Sequence, residues 1–180
     1  MNSEEKIVSL LKEKACTKQK IYRITKNVFA NFQDVLQEKA NILNNEIQDK
    51  DVEVSYEESG DFDAKLKFSG DTLLFHMHSN IFDFDSSHQI HKTSYVKEDK
   101  MRSFCGVINI YNFLSDSLKY NRLNDAGFLI ARIFINKDNH FFVEGDKQLG
   151  FLFNDFVNQQ IDEVQICKII DTAMIYAINF

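Results

Sequence analysis

Four of the five histidines fall in one stretch, HMHSNIFDFDSSHQIH at 76–91, together with Asp83 and Asp85. His76 and His78 are two apart, so on a strand their imidazoles share a face about 7 Å apart along the backbone. Such a pair can bind zinc, with Asp63 as a third ligand across the strands. His88 and His91, three apart, fit one helical turn and can close over the same ion. Asp83 and Asp85 suit a harder cation. A divalent metal with an open position acidifies water, so the chemistry available is metal-dependent hydrolysis. The spacing matches neither paired CxxC with HxxxH nor HExxH. The preferred reading is therefore a wet strand running into a solvated loop, without a cofactor. The metal site is the alternative.

A second group lies further on. Arg132 sits between Ala131 and Ile133 in an apolar run, and Glu144 is its nearest carboxylate across a hairpin. A structural ion pair is expected there. The functional alternative is a pocket of Arg132, Glu144 and His140, roofed by the phenylalanines of 135–156, in which the arginine holds an anion. Cys105 lies in a strongly apolar segment that disfavours a thiolate. The chain has no GxSxG, GxxxxGK[ST] or GxGxxG, which removes the usual nucleophile elbow and nucleotide loops.

The elements that must position these groups are legible from periodicity. The spacing predicts an opening helix capped at Ser3, ahead of Glu5 and Lys6. Ile21, Val28, Val35 and Ile42 recur every seven residues, widened by Ile24, Phe29, Phe32, Leu36 and Leu43. That is an amphipathic helix of about thirty residues, about 45 Å long. It exceeds the width of a small domain, so an oligomer contact is expected. After residue 50 the period becomes two. A loop at Gly60–Phe62 sets Val54 opposite Phe68, Tyr56 opposite Leu66 and Glu57 against Lys65. A turn at Gly70-Asp71 then puts Leu73, Phe75 and Met77 on the apolar face, with His76 and His78 on the polar face across from Lys65 and Asp63. The result is a three-stranded antiparallel meander with one wet side.

SFCGVINIY, 103–111, reads as a central strand, apolar on both faces. A short helix near 112–121 is capped by Asn112, and a hairpin covers about 127–144. Leu149, Leu152, Phe153, Phe156 and Val157 follow helical spacing. A last helix starts at Asp162, with Gln165 as capping-box partner, and buries Val164, Ile166, Ile170, Ala173, Met174, Ala177 and Ile178. The expected fold is α+β in a single domain, 1–180. It comprises a helical segment 1–50, a mostly antiparallel sheet of about six strands over 51–144, and two helices over 146–180 packed on one face.

Composition bounds the partners. Net charge is −6, with nine basic and seven acidic residues in 1–50 against twelve and twenty in 51–180. An acidic body makes nucleic acid an unlikely partner, because phosphate binding needs clustered Lys and Arg. The exception is 12–26, where Lys12, Lys14, Lys18, Lys20, Arg23 and Lys26 face one glutamate; it reads as the solvated face of a helix. Cys16, Cys105 and Cys167 are widely spaced, the first residues lack a signal-peptide layout, and no apolar run spans a bilayer. A reduced, cytoplasmic protein is expected, without membrane contact.

The order helix, three strands, helix, two strands, helix resembles that of small acidic bacterial secretion chaperones, whose sheets and helices hold partner polypeptides. The strand at 103–111 and the paired terminal helices depart from that order. The function expected is a non-catalytic binding or assembly domain. It would use the long helix and aromatic-rich surfaces to hold a protein partner or a second copy of itself.

Overall fold

The computed structural model describes residues 2–122 and 125–180. Helix runs unbroken from Ser3 to Ile47: α1 (Ser3–Leu10), a π turn (Leu11–Ala15) and α2 (Cys16–Ile47). At 1.5 Å per residue its 45 residues reach about 68 Å, well beyond the length expected. The cap is Asn2, not Ser3. Asn2 Oδ1 accepts the Glu5 N–H at 2.8 Å and Glu5 Oε2 accepts the Asn2 N–H at 2.9 Å, a reciprocity that needs the three-residue spacing Asn2 has and Ser3 lacks. Ile21, Val28, Phe29, Phe32, Val35 and Leu36 are buried as expected, but Ile42 is 52% exposed and Ala40 takes its place. A strict seven-residue repeat drifts about 20° per heptad on a straight helix, enough over three heptads to turn Ile42 outward.

The sheet is antiparallel throughout. Its strands are β1 (Val54–Glu58), β2 (Asp63–Phe68), β3 (Asp71–Met77), β4 (Phe82–Asp83), β5 (Phe104–Leu114), β6 (Phe128–Asn136) and β7 (Phe141–Gly145). The order is β1-β2-β3-β5-β6-β7, with β4 also paired to β5. In the first hairpin, Val54 faces Phe68, Tyr56 faces Leu66 and Glu57 faces Lys65, as the alternation dictates. The second hairpin is displaced by two residues. Phe68 pairs with Asp71, so the turn is Ser69-Gly70, and Asp63 rather than Lys65 faces His76. Ser69 itself takes the left-handed φ of 53° that a tight hairpin turn needs. An even displacement keeps every side chain on its expected face and changes only its partner.

β5 is the central strand and is buried on both faces. It runs on to Leu114, so Asn112 lies in the strand, paired with Leu73 and Phe128, and caps nothing. Helix α4 (Ser115–Lys119) begins only after the ladder with β3 ends. The helix expected through Val157 is a single turn, α5 (Gln148–Leu152). Residues 153–161 instead follow the outer edge of β7. Val143 N–H donates to the Phe153 carbonyl at 2.7 Å, Phe141 N–H to Gln159 at 3.2 Å, and Ile161 N–H to Asn139 at 2.8 Å. Covering an open edge satisfies backbone groups that one more helical turn would leave bare. The last helix, α6 (Glu163–Ile178), starts as expected on Asp162, whose carboxylate accepts the Gln165 N–H at 2.7 Å. Its buried stripe is Ile166, Ile169, Ile170, Ala173, Met174 and Ala177; Val164 and Ile178 fall outside that arc and are exposed.

Helices α2 and α6 cover one face of the sheet, enclosing Phe29, Phe32, Leu66, Phe75, Ile108, Ile133 and Ile170. The opposite face is not wet throughout. Short helical turns between 89 and 103, including α3 (Ser94–Glu98), form a strap over its β5–β7 end, where Ile90, Val96, Cys105, Val107, Phe134 and Phe156 make a second cluster. The strap is needed because the outward side chains at that end, Val107 and Phe134 among them, are apolar. No helix among the described residues is long and apolar enough to cross a membrane.

Candidate functional site

On the outer face, one residue from each of five strands forms a row: Asp63, His76, Asn109, Arg132 and Glu144 are successive partners across β2, β3, β5, β6 and β7. The row spans about 19 Å, four interstrand steps. It joins members of the two groups that sequence alone keeps apart.

At one end, His76 Nδ1 lies 2.7 Å from Asp63 Oδ1. Asp63 thus orients the imidazole, whose Nε2 has no hydrogen-bond partner among the described residues. The His78 ring is 6.5 Å from that of His76, edge-on, and packs on Phe82. Its Nδ1 accepts the Asn80 N–H at 3.1 Å. His88 and His91 do not close over this pair, because they belong to the strap. His88 stacks on Phe84 and places Nε2 3.7 Å from Glu144 Oε1, at the far end of the row. The His91 Nε2 is 3.1 Å from the Phe84 carbonyl. Strands β5 and β6 separate His76 on β3 from His88, which reaches Glu144 on β7. Asp83 accepts the Ser103 hydroxyl, and Asp85 accepts the Ser87 N–H, which holds its carboxyl below the ordinary value. Among the described residues, no group of three or more His, Cys, Asp or Glu is placed to hold a metal.

Arg132 faces Glu144 in register but is exposed, so it is not a buried charge seeking a partner. Its apolar neighbours Ala131 and Ile133 point to the other face, which is the alternation of a strand covered by helices. His140 does not join these two. Its Nδ1 lies 3.0 Å from the Phe156 carbonyl in the segment edging β7, and its ring stacks on Tyr95 of the strap. Burial pushes the Cys105 thiol well above its ordinary value, so it supplies no nucleophile.

Two features escaped the sequence reading. Asn109, mid-row and 8% exposed, has a buried Oδ1 without a hydrogen-bond partner among the described residues. Its only sequence signal is one amide inside an apolar run. The other is an N-terminal arm: α1 and the π turn bury no side chain, yet carry Ile7, Val8, Leu10 and Leu11 in the open. Its signal was an apolar cluster out of phase with the stripe that begins at Ile21. No protein-family model, curated protein or solved structure matches the chain.

Proposed function

We propose that the protein is a non-catalytic assembly domain that self-associates through its N-terminal arm. The observation that carries this reading is the exposure of Ile7, Val8, Leu10 and Leu11 on a helical arm that buries no side chain. The arm continues the packed helix α2, so a partner is not needed to nucleate it; what a partner supplies is cover for these four apolar side chains. The chemistry of that partner follows from charge. Residues 12–26 carry six basic side chains against one acidic, whereas residues 51–180 are strongly acidic. The basic stretch that runs from the end of the arm into α2 therefore complements the acidic body of another copy, and this attraction speeds and orients their encounter. Three free thiols suit a reducing cytoplasm.

Sedimentation velocity on the full chain tests this. Assembly is expected with a dissociation constant of about 1–10 μM, and Ile7→Asp/Leu11→Asp should sediment as monomer. A wild-type chain that stays monomeric at several hundred micromolar, roughly a hundredfold above that constant, rejects the reading.

A second reading, a metal-dependent hydrolase, has one observation in its favour. Asp63 holds His76 Nδ1 and leaves Nε2 available beside His78, as carboxylates do for metal-binding imidazoles. Elemental analysis of protein purified without added metal should then find one zinc per chain, lost in His76→Ala/His78→Ala. Absence from both samples removes it.

A further inference from the structure

The other end of the outer face holds a cleft of about 290 Å³ where α4 approaches the first hairpin. Its walls include Lys65, Lys67, Lys119, Thr72 and Ser115, and also one carboxylate, Glu57. The register places Lys67 between Ser55 and Thr72, and α4 supplies Ser115 and Lys119. In a chain of net charge −6, three ammonium groups against one carboxylate make this cleft locally basic. Lys65 is held at the rim by Glu57, 3.1 Å away. Lys67 and Lys119 have no carboxylate within ion-pair distance among the described residues, although the Lys119 ammonium lies 5.2 Å over the Tyr120 ring.

The floor is a hydroxyl pair. Thr72 Oγ1 and Ser115 Oγ lie 2.8 Å apart, and the two residues are 4% and 8% exposed. Each hydroxyl carries one proton, and the contact between them uses one. The second proton is a donor with nowhere in that pair to go, set beneath two uncompensated cations.

We propose that this cleft binds a phosphate-bearing small molecule. Lys67 and Lys119 flank the phosphoryl oxygens, and the Thr72–Ser115 pair donates its remaining proton to one of them. A phosphate monoester offers about two negative charges and three acceptor oxygens, matching two free ammonium groups plus a hydroxyl donor better than a carboxylate does. The volume admits a phosphate with a short organic group. A soluble phosphomonoester and a phospholipid headgroup present the same chemistry. The arm takes no part in the cleft, so this inference and the assembly reading fail separately.

The test is calorimetric titration of the full chain at physiological salt with inorganic phosphate, then glycerol 3-phosphate. Flotation with phosphatidylcholine vesicles containing phosphatidic acid runs alongside. Saturable binding of inorganic phosphate is expected with a dissociation constant of about 1 mM or below. Lys67→Met/Lys119→Met should weaken it at least about tenfold. Thr72→Val, which keeps every charge and nearly the same volume, should weaken it about fivefold. Ser115→Ala gives the same readout from the helix side should Thr72→Val unfold. Tighter binding of glycerol 3-phosphate without flotation assigns the soluble source, and flotation lost in the double-lysine variant assigns the headgroup. Two results overturn the inference: no saturation by about 10 mM, tenfold above the expected constant, or binding that both hydroxyl variants leave unchanged, which marks an adventitious ion only.

Discussion

Gly106→Ala is expected to destabilise the protein by about 3 kcal/mol, near the top of the range for overpacking. A Cβ at Gly106 would lie 2.0 Å from Thr25 Oγ1 and 2.8 Å from Thr25 Cβ. Thr25 cannot easily yield. It is fully buried on the inner face of α2, and its hydroxyl donates back to the Ile21 carbonyl at 2.8 Å. The helix crosses the central strand at this contact, so the added methyl must move helix and sheet apart. For a chain of this length the cost corresponds to a fall of roughly 9 °C in thermal midpoint. Thr25→Ala removes the nearest atom but not the Cβ. Combined with Gly106→Ala it should restore part of the loss, with a coupling of about 1 kcal/mol in a double-mutant cycle. A Gly106→Ala protein melting with the wild type would mean that α2 does not cross β5 here.

Asn136→Ala is expected to cost about 4 kcal/mol and to loosen the strap selectively. Asn136 is fully buried at the end of β6. Its Oδ1 accepts the N–H of Asp138 at 2.9 Å and of His140 at 3.1 Å, and its Nδ2 donates to the Tyr95 hydroxyl at 3.0 Å. Alanine strands these partners, at about 1–3 kcal/mol for each group left buried and unpaired. The same knot holds Asp138, which accepts from Arg102 Nε at 3.1 Å and Tyr95 at 3.2 Å, while the Arg102 guanidinium lies 4.2 Å over the Tyr95 ring. Burial pushes the Asp138 carboxyl up, but Lys137, Arg102 and Tyr95 outweigh it and hold it below the ordinary value. Amide exchange across 94–103 is the discriminating measurement. It should quicken by more than exchange in β2 and β3; uniform quickening would show that the knot does not anchor the strap in particular.

Some of this was readable beforehand, and the reason is the same each time. The first hairpin's register follows from sequence because a one-residue slip would bury Lys65 and Lys67 against Val54 and Tyr56. The start of α6 follows because Asp162 and Gln165 interact within one turn. The second hairpin shows where that reasoning ends. A period of two cannot separate registers that differ by two residues, so the partner of His76 came from the Ser69-Gly70 turn and the ladder with β5. The apolar spacing at 149–157 fits a helix equally well as a segment that sends Phe153 to one core and Phe156 to the other. The bare edge of β7 decided between them.

What the amino-acid order determined by itself is local and periodic: which stretches are helix or strand, which face of each is apolar, and that the fold is α+β. The outer-face row, the strap that parts His88 from His76, and the cleft beneath α4 came only with the tertiary structure. Each assembles single residues from strands tens of positions apart. No spacing along the chain encodes which of them become neighbours, because that depends on backbone pairing and edge coverage satisfied across the whole sheet at once.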